Sequence, residues 1–320
     1  MQYLKAGSAR WHLLTVLLLA ALGWGLAVAT QRMNYQWTWY SVPQYFIYRG
    51  PVDQFAEGNG EVRIMLESDG TARVTVHYPD GGQSSLTLAA DSLTVADGDL
   101  VREGDKLGSR RVVRQGLLVQ GLVVTLQLSA VSGLLGLLIG LVSGLGRIAD
   151  NPTVRTLSTF YIEIIRGTPL LVQIFIFYFF IGTVLDLSRF TAGVLALALF
   201  AGAYVGEIVR AGIQSLDRGQ MEAARSLGMN YLLAMVLIIL PQALRRVLPA
   251  LAGQFISLIK DSSLVSVIAI TDLTKAGREV ITNTFATFEI WFTVAAMYLL
   301  LTFTLSLFAK YLERRFAISG

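Results

Sequence analysis

The chain contains no cysteine, only two histidines and seven prolines, and charged side chains make up just 15% of its 320 residues. Without cysteine there is no disulfide, no thiolate metal site and no cysteine nucleophile. His12 and His77 stand far apart and lack metal-ligand spacing, so neither a metal nor another cofactor is expected. No Ser-His-Asp set and no carboxylate pair suggests catalysis. A phosphate-binding loop needs Gly-x-x-x-x-Gly-Lys-Ser/Thr, and none of the five lysines follows a glycine. Soluble domains carry about 25% charged residues. The shortfall, together with 54% hydrophobic residues, puts the chain in the membrane class. Its net charge of +4 then concerns orientation more than nucleic acid.

A membrane-crossing helix takes about 20 mainly apolar residues. Six stretches qualify: residues 11–30, 116–143, 161–185, 190–209, 247–270 and 289–309. Residues 231–240 are also apolar but reach only about 15 Å at helical rise. Pro241 follows them, so this segment is expected to dip into one membrane face or lie along it. The first stretch imitates a secretory signal, with Arg10 before it and Ala27-Val28-Ala29 at its end. Its apolar run exceeds the usual length of about 7–15 residues, which favours a retained helix.

Between the first two spans the composition changes. Residues 31–115 hold 11 of the 22 acidic residues. Val62, Ile64 and Leu66 alternate with Arg63, Met65 and Glu67, and Asp69-Gly70 follows as a turn. Ala72, Val74, Val76 and Tyr78 then alternate with Arg73, Thr75 and His77 before Pro79-Asp80-Gly81-Gly82, and Leu86 and Leu88 begin a third run. Period-two alternation broken by such turns predicts a small antiparallel β module. The tyrosines and tryptophans of residues 34–48 read as an interfacial aromatic belt, or else as a docking surface for a partner.

Charge sets the expected orientation. Lys5 and Arg10 inside place the β module outside the membrane. Arg147, Arg155, Arg210, Arg218, Arg225, Arg245, Arg246, Lys310, Arg314 and Arg315 then all fall on the inner side. The short outer connections are balanced, with Asp186 against Arg189, and Asp272 and Glu279 against Lys275 and Arg278. Both termini are therefore expected in the cytoplasm. Ser132, Gly136, Gly140 and Gly144 recur every four residues in the second span, a ridge that lets two helix backbones approach closely.

The stretch GQMEAARSLGMNYLLAMVLIILP, residues 219–241, falls in the cytoplasmic connection between the fourth and fifth spans. Residues 220–227 have the length of two helical turns, and Gly228 suits the left-handed position that ends a helix. Glu222-Ala223-Ala224, three residues, Gly228, nine residues and Ile238-Ile239-Leu240-Pro241 together resemble the EAA signature of permease subunits of bacterial ABC importers. YIEIIRGTPLLVQIF (residues 161–175), YVGEIVRAGI (204–213) and KDSSLVSVIAI (260–270) resemble the polar amino acid family of those permeases. The likeness extends over about residues 116–315.

The resemblance implies an all-α polytopic membrane protein. It implies a type I ABC importer permease core of five helices, to which the residues themselves add one extra N-terminal helix and a small extracytoplasmic β-rich insert. The expected division is a transmembrane helix in residues 1–30, the insert in 31–115, the permease domain in 116–315 and a cytoplasmic tail in 316–320. It further implies a bacterial inner-membrane permease for glutamate, glutamine or basic amino acids, and no enzyme activity of its own. The implied partners are two copies of an ABC ATPase, a second permease copy or paralogue, and an extracytoplasmic solute-binding protein. Glu222, Ala223, Ala224 and Gly228 are the expected ATPase contact, with Glu222 pairing either Arg225 or an arginine of the partner. Family members typically begin near the second span, so residues 1–115 are a departure.

Polar groups within the spans complete the candidates. Glu163 with Arg166, and Glu207 with Arg210, have the spacing of intrahelical ion pairs, or else form a gate or domain contact. Lys260 and Asp261 lie within an apolar stretch, where charges are costly. They either pair with each other or line the translocation path with Gln254, Ser262 and Ser263. Two other function classes compete: a secondary transporter using Lys260 and Asp261, and a membrane receptor sensing through the β module. No evident inverted repeat supports the first, and no cytoplasmic output domain supports the second.

Overall fold

The computed structural model describes residues 8–316. Lys5 and residues 317–320 of the expected tail lie outside the described residues. The chain divides into two compact units, Met1–Ser41 and Val42–Gly320. The first contains helix α1 (Ser8–Arg32), followed by a short aromatic stack. Trp37 and Trp39 lie parallel with ring centroids 5.8 Å apart, and Tyr35 meets Trp37 edge-on.

In the second unit six strands precede the membrane helices. They are β1 (Ile47–Phe55), β2 (Gly60–Leu66), β3 (Thr71–His77), β4 (Gln83–Ala89), β5 (Leu100–Val101) and β6 (Lys106–Gln115). A sheet of order β4-β3-β2-β5 buries Val62, Val74, Val76 and Leu88 together with Val101 and Leu107. The alternating apolar positions are what place these side chains on one face. A separate antiparallel ribbon pairs β1 with β6, from Ile47 opposite Gln115 to Phe55 opposite Lys106. Val42, Tyr45 and Phe46, just before β1, pack with Leu118, Leu273 and Ile290 of the helical region.

The helices are α2 (Leu117–Gly146), α3 (Pro152–Gly167), α4 (Leu170–Val184), α5 (Arg189–Gln214), α6 (Arg218–Ser226), α7 (Tyr231–Ile268), α8 (Leu273–Thr284) and α9 (Thr287–Phe316). Among the described residues, five helices are long and apolar enough to cross a membrane, or six if the bent pair α3–α4 is one span. The small-residue ridge of α2 packs on α5. A Cβ on Gly140 would come within 2.4 Å of Val205 and 2.8 Å of the Gly202 carbonyl, and one on Gly144 within 2.6 Å of the Gly206 carbonyl. Ser132 donates to the Val194 carbonyl at 3.2 Å.

Two expected segments differ. Residues 161–185 do not form one straight span, because α3 and α4 meet at 106°. Pro169 disfavours helical backbone at the residue before it, and Thr168 is accordingly extended. The buried Gln173 fastens the bend by donating to the carbonyls of Ile165 and Thr168 and to the Thr168 hydroxyl. Residues 231–240 are not a separate surface segment but the first turns of α7, which runs 38 residues. Pro241 fails to stop this helix because a π-turn over Met235–Ile239 precedes it. There Leu240 donates to the Met235 carbonyl, five residues back, a local widening of the backbone just ahead of the proline ring. At about 57 Å this helix is nearly twice the hydrocarbon thickness of a bilayer.

Candidate functional site

Helix α6 is short, polar and capped at both ends. Asp217 accepts from the Gly219 amide at 2.7 Å, serving as N-cap. At the other end Gly228, with φ +86°, donates to the Arg225 carbonyl at 3.0 Å, and Met229 donates to the Ala224 carbonyl at 3.2 Å. These two bonds make a Schellman closure. A Cβ on Gly228 would touch nothing within 4 Å, so glycine is required by the backbone angle and not by space.

The four signature residues divide between two sides of this helix. Glu222, Ala223 and Gly228 are exposed, whereas Ala224 is 5% exposed and faces the chain's own interior. Glu222 and Arg225 form no ion pair with each other, which leaves the Glu222 carboxylate facing outward. Leu227, which residue reading did not single out, is 85% exposed beside them. Beneath the helix Leu216, Met235, Ile239 and Ala243 form a small core, with Met221 packed against it. Gln242 of α7 donates to the Gln220 side chain at 2.6 Å, tying α6 to the long helix behind it.

A network of charges joins α2, α3 and α5. Arg147, at the end of α2, donates to Glu207 at 2.5 Å and to Glu163 at 2.6 Å. Glu207 is also paired with Arg210 on its own helix and lies 3.9 Å from Arg166. The guanidinium of Arg166 sits 5.4 Å from the centre of the Tyr204 ring, within cation–π range. Of the two expected intrahelical pairs, Glu207–Arg210 forms. Glu163–Arg166 does not: Glu163 turns to Arg147 and Arg166 turns to Glu207. Arg147 had no partner within reach along its own helix, so spacing could not have marked it as the hub.

The five candidate path residues occupy separate surroundings. Gln254 lines an apolar cavity of about 370 Å³ with Gly133, Leu137, Phe255 and Phe308. Lys260 and Ser263 border a smaller one with Thr274, Trp291 and Tyr298. Ser262 is fully buried, donating to the Ile259 carbonyl, with its hydroxyl 3.4 Å from that of Ser129. Asp261 is half-buried, and it forms no salt bridge with Lys260. Adjacent helical residues project about 100° apart, which explains why the pair separates. No direct ion pair joins the two, although Lys260 stays close enough to act on the Asp261 carboxylate electrostatically. No cluster of histidine and carboxylate suited to a metal occurs among the described residues.

An apolar helical bundle carrying a capped, exposed polar helix on one connection defines a polytopic membrane protein. The chain belongs to the family of binding-protein-dependent transport system inner membrane components, matched over residues 136–318. It is an ABC importer permease. It is 40% identical over 205 residues to the glutamine transport system permease protein of Escherichia coli (strain K12), covering 63% of this chain and 94% of that one. A probable glutamine ABC transporter permease protein of Bacillus subtilis (strain 168) is 41% identical over 198 residues, covering 62% and 92%. Among solved structures, an amino acid ABC transporter crystallised with histidines is 43% identical with a TM-score of 0.58, covering 62% and 94%. The methionine transporter MetNI, in an inward-facing form, shares the fold at 21% identity and a TM-score of 0.57, covering 63% and 97%.

Proposed function

We propose that this chain carries polar amino acids of the glutamine, glutamate or basic class inward across a bacterial inner membrane, driven by a separate ATPase. The names of the relatives and of the similar amino acid transporter support the substrate class. The complex would hold two permeases (a second copy or a paralogue), two ATPase subunits on the cytoplasmic side and a solute-binding protein outside. Positive charge concentrated on one set of connections favours cytoplasmic termini and an outward-facing module in residues 31–115, ahead of the permease domain.

The observation that carries the mechanism is α6. Its outer side offers Glu222, Ala223, Leu227 and Gly228, while Ala224 and Met221 seat it on the base of α7. A rod closed at both ends and bonded to a 38-residue helix transmits displacement instead of absorbing it. On this reading Glu222, Ala223 and Leu227 contact the ATPase, Gly228 fixes the end of the rod, and Ala224 allows its close seating. The charge network around Glu207 holds α2, α3 and α5 in register at the same end of the bundle and acts as a gate when α7 moves. Lys260 or Asp261, with Gln254, Ser262 and Ser263, remain candidates for the path, contributing from different sides of α7.

Affinity purification of the tagged permease tests the central assignment. The ATPase should copurify with wild type and be lost on Glu222→Arg and on Gly228→Val. Retention by both variants would sink the coupling role of α6. Uptake of glutamine, glutamate and arginine by proteoliposomes containing the full complex tests the substrate class. Uptake of none of them counts against it.

A further inference from the structure

Charge is unevenly distributed along the sequence of the β module. Residues 42–52 and 106–116, the part adjoining α2, carry five basic residues and no acidic one. Residues 53–105 carry eleven acidic residues and three lysines or arginines. Covalent geometry sets where the basic end lies, because only Gly116 separates β6 from α2. At about 3.3 Å per residue, Arg114 is within about 10 Å of the helix start and Arg110 within about 25 Å. Arg114, and Arg49 opposite Val113, therefore lie near the membrane surface from which α2 enters, with Arg110 four residues further along the same strand.

Two of the five cations are already engaged, Lys106 with Asp53 at 2.9 Å and Arg111 with Asp91 at 2.8 Å. Arg49, Arg110 and Arg114 are exposed and form no ion pair among the described residues. Ile47 and Val113, 63% and 65% exposed, lie on the same stretch of ribbon with the half-covered Tyr48. On the connection between α7 and α9, Asp272 is a buried cap and Glu279 is paired with Lys275, so neither carboxylate is available to these arginines. Arginines beside a span on the outer side run against the usual charge bias. Arg49 and Arg110 share a surface pocket with Asp69 and Asp91 without pairing with either, Arg114 lies outside that pocket, and all three can take an external anion.

We propose that the membrane-proximal end of the β1–β6 ribbon binds the phosphodiester headgroups of anionic phospholipids in the outer leaflet. This rests on the outward placement of the module proposed above. Guanidinium groups pair phosphate oxygens through two parallel hydrogen bonds, and Ile47, Tyr48 and Val113 supply the apolar contact that interfacial segments use.

The test uses the assembled complex with its ATPase and binding protein, in nanodiscs of equal parts phosphatidylcholine and phosphatidylglycerol. Native mass spectrometry counts the lipids retained. Wild type should retain phosphatidylglycerol preferentially, and the Arg49→Gln, Arg110→Gln, Arg114→Gln triple variant should lose that preference by about fivefold or more. A second triple variant, Arg63→Gln, Arg73→Gln, Arg102→Gln, removes equal charge from residues 53–105, outside the ribbon segments, and should behave as wild type. No preference in wild type, or equal retention by the first triple variant, overturns the proposal. Unchanged lipid with weakened binding-protein affinity also overturns it, assigning the surface to a protein partner. A membrane-impermeant maleimide on Ser85→Cys reads the outward placement separately. Labelling only after permeabilisation overturns that placement and the outer-leaflet assignment with it.

Discussion

Arg147 closes on Glu207 across the gap between α2 and α5 at 2.5 Å, and the same guanidinium reaches Glu163 of α3 at 2.6 Å. One side chain at the end of one helix thereby fixes two others. Glu207 and Arg147 are 23% and 19% exposed, whereas Glu163 is 61% exposed. Glu207→Gln leaves three guanidiniums without their shared carboxylate and should destabilise the permease by about 2–3 kcal/mol. Glu163→Gln loses one screened contact and should cost under about 1 kcal/mol. Arg147→Lys should resemble the first and not the second, because an ammonium cannot span both carboxylates in a fixed fork. Thermal unfolding of the purified complex ranks the three. Equal losses for the two glutamates would contradict the hub.

The closure of α6 gives a second prediction. Gly228→Ala places a Cβ at φ +86° and should cost about 1 kcal/mol with no steric clash. Gly228→Asn should be milder, since asparagine tolerates the left-handed region. Leu227→Asp tests the outer side: its side chain supports nothing within the chain, so stability should hold while ATPase copurification falls. Unfolding scans beside pull-downs separate the two effects.

Much of this architecture was legible because it depends on local periodicity. β2, β3 and β4 follow from alternation broken by Asp69-Gly70 and Pro79-Asp80-Gly81-Gly82. The α2–α5 seam follows from small residues four apart. The β1–β6 ribbon was not legible, because Gly50-Pro51 interrupts the β1 pattern and its partner lies some sixty residues on, where no local signal reaches. Prolines misled in both directions. Pro169 bends its neighbourhood through the residue before it, while Pro241 sits inside a helix that had already widened at Met235–Ile239. Spacing likewise exposes only charge pairs on one helix. Arg147 and Glu207 are sixty residues apart and meet only because the glycine ridge brings α2 onto α5.

That ridge makes a third prediction. Gly140→Val would drive methyl groups into Val205 and the Gly202 carbonyl, already 2.4 Å and 2.8 Å from a single added carbon. Overpacking at backbone contact should cost about 3 kcal/mol or more and separate the helices. Because Arg147 ends the same helix, its bond to Glu207 should fail too. Gly140→Val combined with Glu207→Gln should then cost less than the two losses added. Strict additivity in the unfolding free energies would show the seam and the network to be independent.

Asp272 supplies the last prediction. It is fully buried as the N-cap of α8, accepting from the amides of Thr274 and Lys275, and its carboxylate lies 3.4 Å from the Tyr298 hydroxyl. Burial pushes its pKa above the ordinary 3.8, against the opposing pull of the capping hydrogen bonds. A raised native pKa means that the folded state holds the proton more tightly than the unfolded chain. The associated stability is therefore fully present below the unfolded pKa and fades as pH rises through the folded one. Asp272→Asn keeps a capping oxygen but does not titrate. Against wild type the variant should gain in relative melting temperature as pH rises from acid toward neutral. Asp272→Ala, which loses the cap, should be destabilised by about 1 kcal/mol even where the aspartate is ionised. A difference between wild type and Asp272→Asn that stays flat across that range would show that the buried carboxyl titrates alike in both states.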